Sequence, residues 1–487
     1  MTFAVADARN FLRGRRPLRQ VLAQALAGGS LPWPPVCPIP ASHMSLVRRI
    51  TPHVVQTITS PRTRAFRQWL AEQGRRLRGE PHRVLYFHQV DDPYGQLAAQ
   101  VLPALLARYE IELVPHLAGP PDDAAAPDRE RLAAFARRDA ADVAPGYGLV
   151  FPADAPAPSR DAVSLASRAL AAAIARGSFA ADAATVGAAL WSGDGERLRR
   201  VADGIGLADA AATEALVAEG SRTRERLGHY LGAMFFHGSE WHWGVDRLHF
   251  LERRLRELGL RRPGADAAFI APRPDPARDP APAASGRVTL EFYPSLRSPY
   301  TAISMRRVRD LERRLPVDLV LRPVLPMVMR GLPVPRVKQM YITLDTKREA
   351  EDAGEPFGRV CDPVGRPVER CFSLWPWAHA QGRGFELLQA FTQAAFAEGI
   401  DTGTDEGLRL VVERAGLSWN DALAHLDREG WRDELEKNRE QLLALGLWGV
   451  PSFRVIGPAG EGDYSTWGQD RLWRVEQEIR RRVAAAR

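Results

Sequence analysis

The stretch W-G-V-D-R-L-H-F-L-E-R-R-L at residues 243–255 returns at residues 467–479 as W-G-Q-D-R-L-W-R-V-E-Q-E-I. Upstream of each copy lies a short apolar run that ends in a turn signal. The first turn is Asp92-Pro93-Tyr94 and the second is Ser298-Pro299-Tyr300. The same opening and the same closing element, in the same order, predict a duplicated domain, and self-similarity of this kind outranks any single motif.

The segments between these landmarks follow one plan twice. Residues 82–89 (H-R-V-L-Y-F-H-Q) read as a buried strand, and Pro93 suits the first turn of a helix through residue 107. Leu97, Val101 and Leu105 recur at helical spacing. Residues 111–117 read as a second strand, 127–228 as a long Ala-rich helical stretch, 230–236 as a strand and 244–258 as a closing helix. Residues 263–287 hold six prolines and eight alanines without apolar periodicity, the signature of a stiff linker. After it come a strand at 288–293, a helix at 299–315, a strand at 317–324 and a helical insertion over 335–446. Gly449-Val450-Pro451-Ser452-Phe453 then enters a strand through proline, and a last helix starts at Gly468. That order is a thioredoxin fold carrying a helical insertion. The expected organisation is a basic, mainly helical extension (1–80), a first thioredoxin-like domain (82–262), the linker (263–287) and a second thioredoxin-like domain (288–487).

The length of 487 residues supports more than one core, and the 45% apolar share is that of a globular chain. No run of about 18 apolar residues predicts a membrane span. The first ten residues carry an acid and an arginine, which makes a poor secretory signal. Cys37, Cys361 and Cys371 form no C-x-x-C and no zinc-ligand pattern, so a reduced, cytoplasmic setting is expected. Residues 1–80 hold thirteen arginines against Asp7, Glu72 and Glu80, a balance of +10 within a net charge of +7. An anionic surface or nucleic acid would answer that charge. An arginine-rich composition explains it more simply, and no nucleic-acid module accompanies it.

Ser298 stands where the first strand of the second domain gives way to its helix. In a thioredoxin-like fold this is the reactive corner, where unpaired N–H groups favour an anion. A redox member would place its own thiolate there; this chain has a serine, which cannot form a disulfide but can donate a hydrogen bond to a bound thiolate. Capping of the helix at Pro299 explains the serine equally well. Val450-Pro451 has the pattern of a cis-proline loop, whose preceding backbone pairs with an extended peptide. Gln469 and Asp470 open the last helix, where a carboxylate caps the helix or holds an ammonium. Lys338 and Lys347 are two of only three lysines, and a compact ammonium suits a ligand carboxylate.

With these residues in view, the second half resembles the 2-hydroxychromene-2-carboxylate isomerase family, close to the kappa-class glutathione transferases of the DsbA-like branch. The resemblance rests on F-Y-P-S-L-R-S-P-Y-T-A, K-Q-M-Y-I-T-L-D-T-K-R, G-V-P-S-F and W-G-Q-D-R-L. It implies a glutathione-dependent isomerase or transferase acting on an electrophilic aromatic or organic acid. By resemblance Ser298 contacts the glutathione sulfur beside Pro299. The Val450 backbone at Pro451 pairs with the cysteinyl unit, Gln469 and Asp470 hold the γ-glutamyl end, and Lys338 makes a further polar contact. Arg297 in the loop before Ser298 departs from the family pattern. The first domain reads as a decayed copy: Asp92 takes the place of Ser298, and Met234 is expected to replace the proline. The two domains are expected to pack as an intrachain pseudo-dimer. The competing reading is a non-catalytic tandem thioredoxin-like protein that binds a partner or peptide. A thiol–disulfide oxidoreductase is disfavoured because neither corner has a cysteine.

Overall fold

Short runs rich in Val, Leu, Phe and Tyr form two separate four-stranded sheets, and helices occupy most of the remaining chain. The computed structural model describes residues 41–279, 286–458 and 462–485. The chain divides into two units, Met1–Arg48 and Arg49–Arg487, and apart from the start of the first helix the fold below is that of the second. Residues 31–35, L-P-W-P-P, whose prolines read as a turn within the helical extension, lie outside the described residues.

Two helices, α1 (Ala41–Thr59) and α2 (Pro61–Leu77), precede the first sheet. That sheet follows the expected plan: β1 (Arg83–His88), α3 (Pro93–Arg108), β2 (Glu112–Leu117), five helices, then β3 (Met234–His237) and β4 (Glu240–Trp243). The helices are α4 (Arg129–Val143), α5 (Arg160–Arg176), α6 (Phe179–Trp191), α7 (Gly195–Ile205) and α8 (Ala210–Arg226). The closing element is a 3-10 turn at Val245–Arg247 followed by α9 (Leu248–Glu257). Strand order is β2-β1-β3-β4. β1 runs parallel to β2 and antiparallel to β3. Asp92 caps α3 by accepting the Tyr94 N–H at 3.0 Å, and Leu97, Val101 and Leu105 are buried as their spacing predicts.

The second sheet repeats that order as β6-β5-β7-β8. It comprises β5 (Val288–Tyr293), β6 (Val317–Leu321), β7 (Ser452–Ile456) and β8 (Tyr464–Trp467). The helix expected over 299–315 is two pieces, α10 (Pro299–Ala302) and α11 (Met305–Arg314). The break falls at Ser304, whose hydroxyl donates to the Thr301 carbonyl at 2.8 Å while its N–H also turns back to Thr301. Between β6 and β7 lie α12 (Arg336–Ala353), α13 (Arg366–Ala380), α14 (Gly384–Gln393), α15 (Asp405–Arg414), α16 (Trp419–Leu423) and α17 (Trp431–Ala444); α18 (Leu472–Ala485) closes this half. Trp375 and Phe391 are fully buried in the second core, and Trp377 packs against it. Phe292 and Phe453 stack across β5 and β7 with centroids 5.3 Å apart.

The described part of the proline-rich segment is anchored rather than free. Arg273 pairs with Glu349 at 2.9 Å and donates to the Asp246 carbonyl, and the Ile270 N–H bonds Glu252.

Several histidines are buried beside these sheets, and they contribute to the acid sensitivity of the fold. Burial lowers His229 to about 3, and burial together with the nearby His82 and Arg254 lowers His237 to about 4. An unfolded imidazole titrates near pH ~6.5. Between these values the unfolded chain binds more protons than the native one. The contribution of these histidines is therefore full above pH ~6.5 and falls as pH drops below it, by about 1.4 kcal/mol per unit for each. Thermal melts across this range are expected to show the decline. His229→Asn, which keeps an acceptor for the Leu231 N–H, is expected to make it shallower; an unchanged slope would remove His229 from the account.

Candidate functional site

Two loops from distant parts of the sequence meet at Ser298. Its Oγ caps α10 by accepting the Thr301 N–H at 3.1 Å, and its hydroxyl faces the Val450 carbonyl at 3.4 Å. The Val450–Pro451 peptide is cis, as the Gly-Val-Pro pattern predicts. Among the described residues the Val450 N–H has no partner. Pro299 follows Ser298 at the first helical position. The loop is held from below by the second W-G motif: the Gly468 N–H donates to the Pro451 carbonyl at 2.9 Å, and Trp467 lies against Gly449. A Cβ on Gly449 would sit 1.9 Å from the indole, so only glycine admits this approach.

The neighbours of Ser298 are paired. Arg297, the departure noted in the sequence, forms a two-pronged ion pair with Asp362, both contacts at 2.7 Å. Its charge is thus answered within the protein. The Tyr300 hydroxyl donates to Asp345 on α12 at 2.8 Å. Burial alone would raise the Asp345 carboxyl, but the Arg247 and Arg348 guanidiniums outweigh it and hold it at about 2.

Gln469 and Asp470 are buried and face this ionic cluster. The Gln469 amide donates to Glu349 at 2.7 Å and accepts from Arg307 at 2.7 Å. Asp470 receives Arg247 at 2.9 Å. Lys338 lies apart from these. Its ammonium donates to the Ala125 carbonyl at 2.8 Å and sits 5.7 Å from the centre of the Trp448 ring, one residue before the Gly449 loop. Burial lowers Lys338 to about 8. The structure therefore brings Ser298, Pro299, Val450 and Pro451 together, turns Gln469 and Asp470 toward the interior, and leaves Lys338 at the edge.

The repeated motif has a geometry that its sequence does not reveal. Arg247 of the first copy reaches Asp345, Glu349 and Asp470 of the second half at 2.9–3.1 Å. Arg471 of the second copy reaches Asp139 and Asp246 of the first half at 2.7 and 2.8 Å. Tyr94 donates to Asp139 as Tyr300 does to Asp345. Each arginine thus crosses to the other half and meets the aspartate that precedes its counterpart.

The corner of the first half differs by one position from the reading of its sequence. Met234 pairs with Trp243, and Ser452 pairs with Trp467. The Gly244 N–H bonds the Ala233 carbonyl, as Gly468 bonds Pro451. Ala233, not Met234, therefore stands at the proline position, with φ at +54°. Asp92 there is pushed up to about 7 by burial.

Residues 289–480 match the DSBA-like thioredoxin domain family. This part of the chain is a DsbA-like thioredoxin domain. The chain is 27% identical over 199 residues to the 2-hydroxychromene-2-carboxylate isomerase of Sphingobium xenophagum, a match covering 38% of this chain and 94% of that protein. A solved 2-hydroxychromene-2-carboxylate isomerase is 20% identical, with a TM-score of 0.34, covering 40% of this chain and 95% of its own. The cytosolic disulfide reductase DsbM from Pseudomonas aeruginosa, solved with GSH, is 18% identical with a TM-score of 0.29, covering 40% and 99%. Among the described residues no helix is long and apolar enough to cross a membrane, and no cluster of His, Cys, Asp and Glu has the arrangement of a metal site.

Proposed function

We propose that the DsbA-like domain is a glutathione-dependent isomerase or transferase for an electrophilic aromatic or organic acid. The observation that carries this reading is the meeting of Ser298 with the Val450 carbonyl beside Pro451. A ligand with one extended backbone unit and one thiolate fits that corner: the open Val450 N–H and its carbonyl face the backbone, and the Ser298 hydroxyl turns to the sulfur. Bound there, glutathione supplies the nucleophile for addition to a conjugated carbon and the leaving group for its elimination. Ser298 favours the anionic sulfur by donating to it. Pro299 and Pro451 shape the two loops, and Lys338 offers its cation to a carboxylate of ligand or substrate. Gln469 and Asp470 act through the ionic cluster they anchor, behind the γ-glutamyl end.

The first half, with the same strand order but Asp92 and Ala233 at its corner, serves in this reading as a degenerate thioredoxin-like copy. It packs as the partner in an intrachain pseudo-dimer through the exchanged arginines. Calorimetric titration of the full chain is expected to give one glutathione per chain. Two sites, or none, would defeat the reading. A second reading, a non-catalytic tandem protein that binds a partner, gains from one observation: Gln469 and Asp470 already have partners within the protein. Absence of glutathione binding would favour it.

A further inference from the structure

Helix α2 is mounted with its polar edge inward. Arg64 pairs with Glu351 of α12 at 2.6 Å, and Gln68 bonds Glu240 of β4, so the helix is tied to both halves. Its opposite face holds Phe66, Trp69, Leu70 and Leu77, which are 52, 54, 48 and 87% exposed. No residue of the helix is buried. The spacing i, i+3, i+4, i+11 places all four along one stripe. At 1.5 Å per residue that stripe is about 16 Å long, with Gln73 on the same face between Leu70 and Leu77. The Phe66 and Trp69 rings stack with centroids 5.9 Å apart. The other large apolar side chains that are exposed among the described residues, Val150, Leu207 and Leu423, lie on separate segments.

The charge around the stripe says what would cover it. Arg62, Arg76 and Arg78 are exposed beside it. Residues 61–80 carry six arginines against Glu72 and Glu80. A second copy docking here would press two arginine-rich faces together. Leucines at positions 70 and 77 gain nothing from a nucleic acid. An apolar stripe with interfacial aromatics and flanking guanidiniums matches a bilayer surface with anionic headgroups, where the side chains enter the acyl boundary and the arginines meet phosphate. We propose that α2 docks this protein onto anionic phospholipid membranes as a surface-lying helix. The proposal is independent of the glutathione reading.

The test is cosedimentation of the full chain with vesicles of phosphatidylcholine alone and of phosphatidylcholine and phosphatidylglycerol in equal parts. The protein is expected to bind the mixed vesicles, with binding weakened by salt. Phe66→Gln/Trp69→Gln/Leu70→Gln should weaken binding by on the order of a hundredfold, and each of Arg62→Gln, Arg76→Gln and Arg78→Gln by about fivefold. These side chains are exposed, and circular dichroism checks that the variants stay folded. If the triple variant does not fold, quenching of the wild-type tryptophans by brominated phosphatidylcholine within the mixed vesicles decides instead, and insertion of Trp69 requires it. Equal binding to both vesicles, no binding, or undiminished binding by the folded triple variant would overturn the proposal. So would a concentration-dependent dimer abolished by the triple variant, or displacement from vesicles by a single-stranded oligonucleotide.

Discussion

Arg247→Met is expected to lower the stability of the chain by about 3–5 kcal/mol, the usual cost of leaving buried charges without their partner. The guanidinium is almost completely buried and answers three carboxylates, Asp345, Glu349 and Asp470. Removing it leaves Asp345 with Arg348 and Glu349 with Arg273, while Asp470 keeps only Arg471 at 3.9 Å. Arg471→Met should cost a similar amount, since it strips Asp139 and Asp246 together. Arg83→Met provides the contrast. Its partner Glu112 and Arg83 itself are about half exposed, and such pairs contribute roughly 0–1 kcal/mol. Urea unfolding of the three variants measures these differences. A loss of under about 1 kcal/mol for both buried arginines would mean that the exchange between halves is dispensable. Asp470→Asn added to Arg247→Met should recover part of the loss, because one unpaired charge disappears.

This exchange marks the limit of what could be read from the sequence. The repeated W-G-x-D-R-L predicts a repeated strand order, and the two sheets have one. A repeated motif carries no information about how its two occurrences face one another, so the crossing of Arg247 and Arg471 stayed hidden. Their acceptors were hidden too: Asp345 and Glu349 share one face of α12 in a run, 345–349, whose residues are all polar, and Asp139 lies in an Ala-rich helix. The one-residue slip at Ala233 has a different cause. Counting from Gly232 aligns Met234 with the proline, but position at that corner is set by pairing to the tryptophan of the next strand. The split at Ser304 reflects local competition, a hydroxyl taking a helix carbonyl. The cap at Ser298 and the cis bond before Pro451 were legible because turn chemistry and proline are written locally. That their atoms meet depends on a strand pairing 152 residues away in sequence.

Ser298→Ala is expected to reduce turnover more than glutathione affinity. The hydroxyl has two present tasks, accepting the Thr301 N–H and facing the Val450 carbonyl at a long 3.4 Å. The second contact is weak enough for the proton to turn toward an anionic sulfur in the same corner. One hydrogen bond to a charged group is worth roughly 1.5–3 kcal/mol, on the order of ten- to a hundredfold in rate. Affinity should change less, because a protonated thiol gains little from the hydroxyl. Loss of the cap adds about 1 kcal/mol of destabilisation, which a melt separates from the effect on turnover. Ser298→Thr keeps the hydroxyl and should recover part of the rate. Asp92→Ala, at the corresponding corner of the first half, should leave both turnover and affinity nearly unchanged while it loses the cap of α3. Turnover is read with a chromene-type acid or a generic electrophile, and affinity by calorimetry. If Ser298→Ala turned over at the wild-type rate, or if Asp92→Ala proved the more damaging change, the reaction would have to lie at a different corner from the one assigned to it.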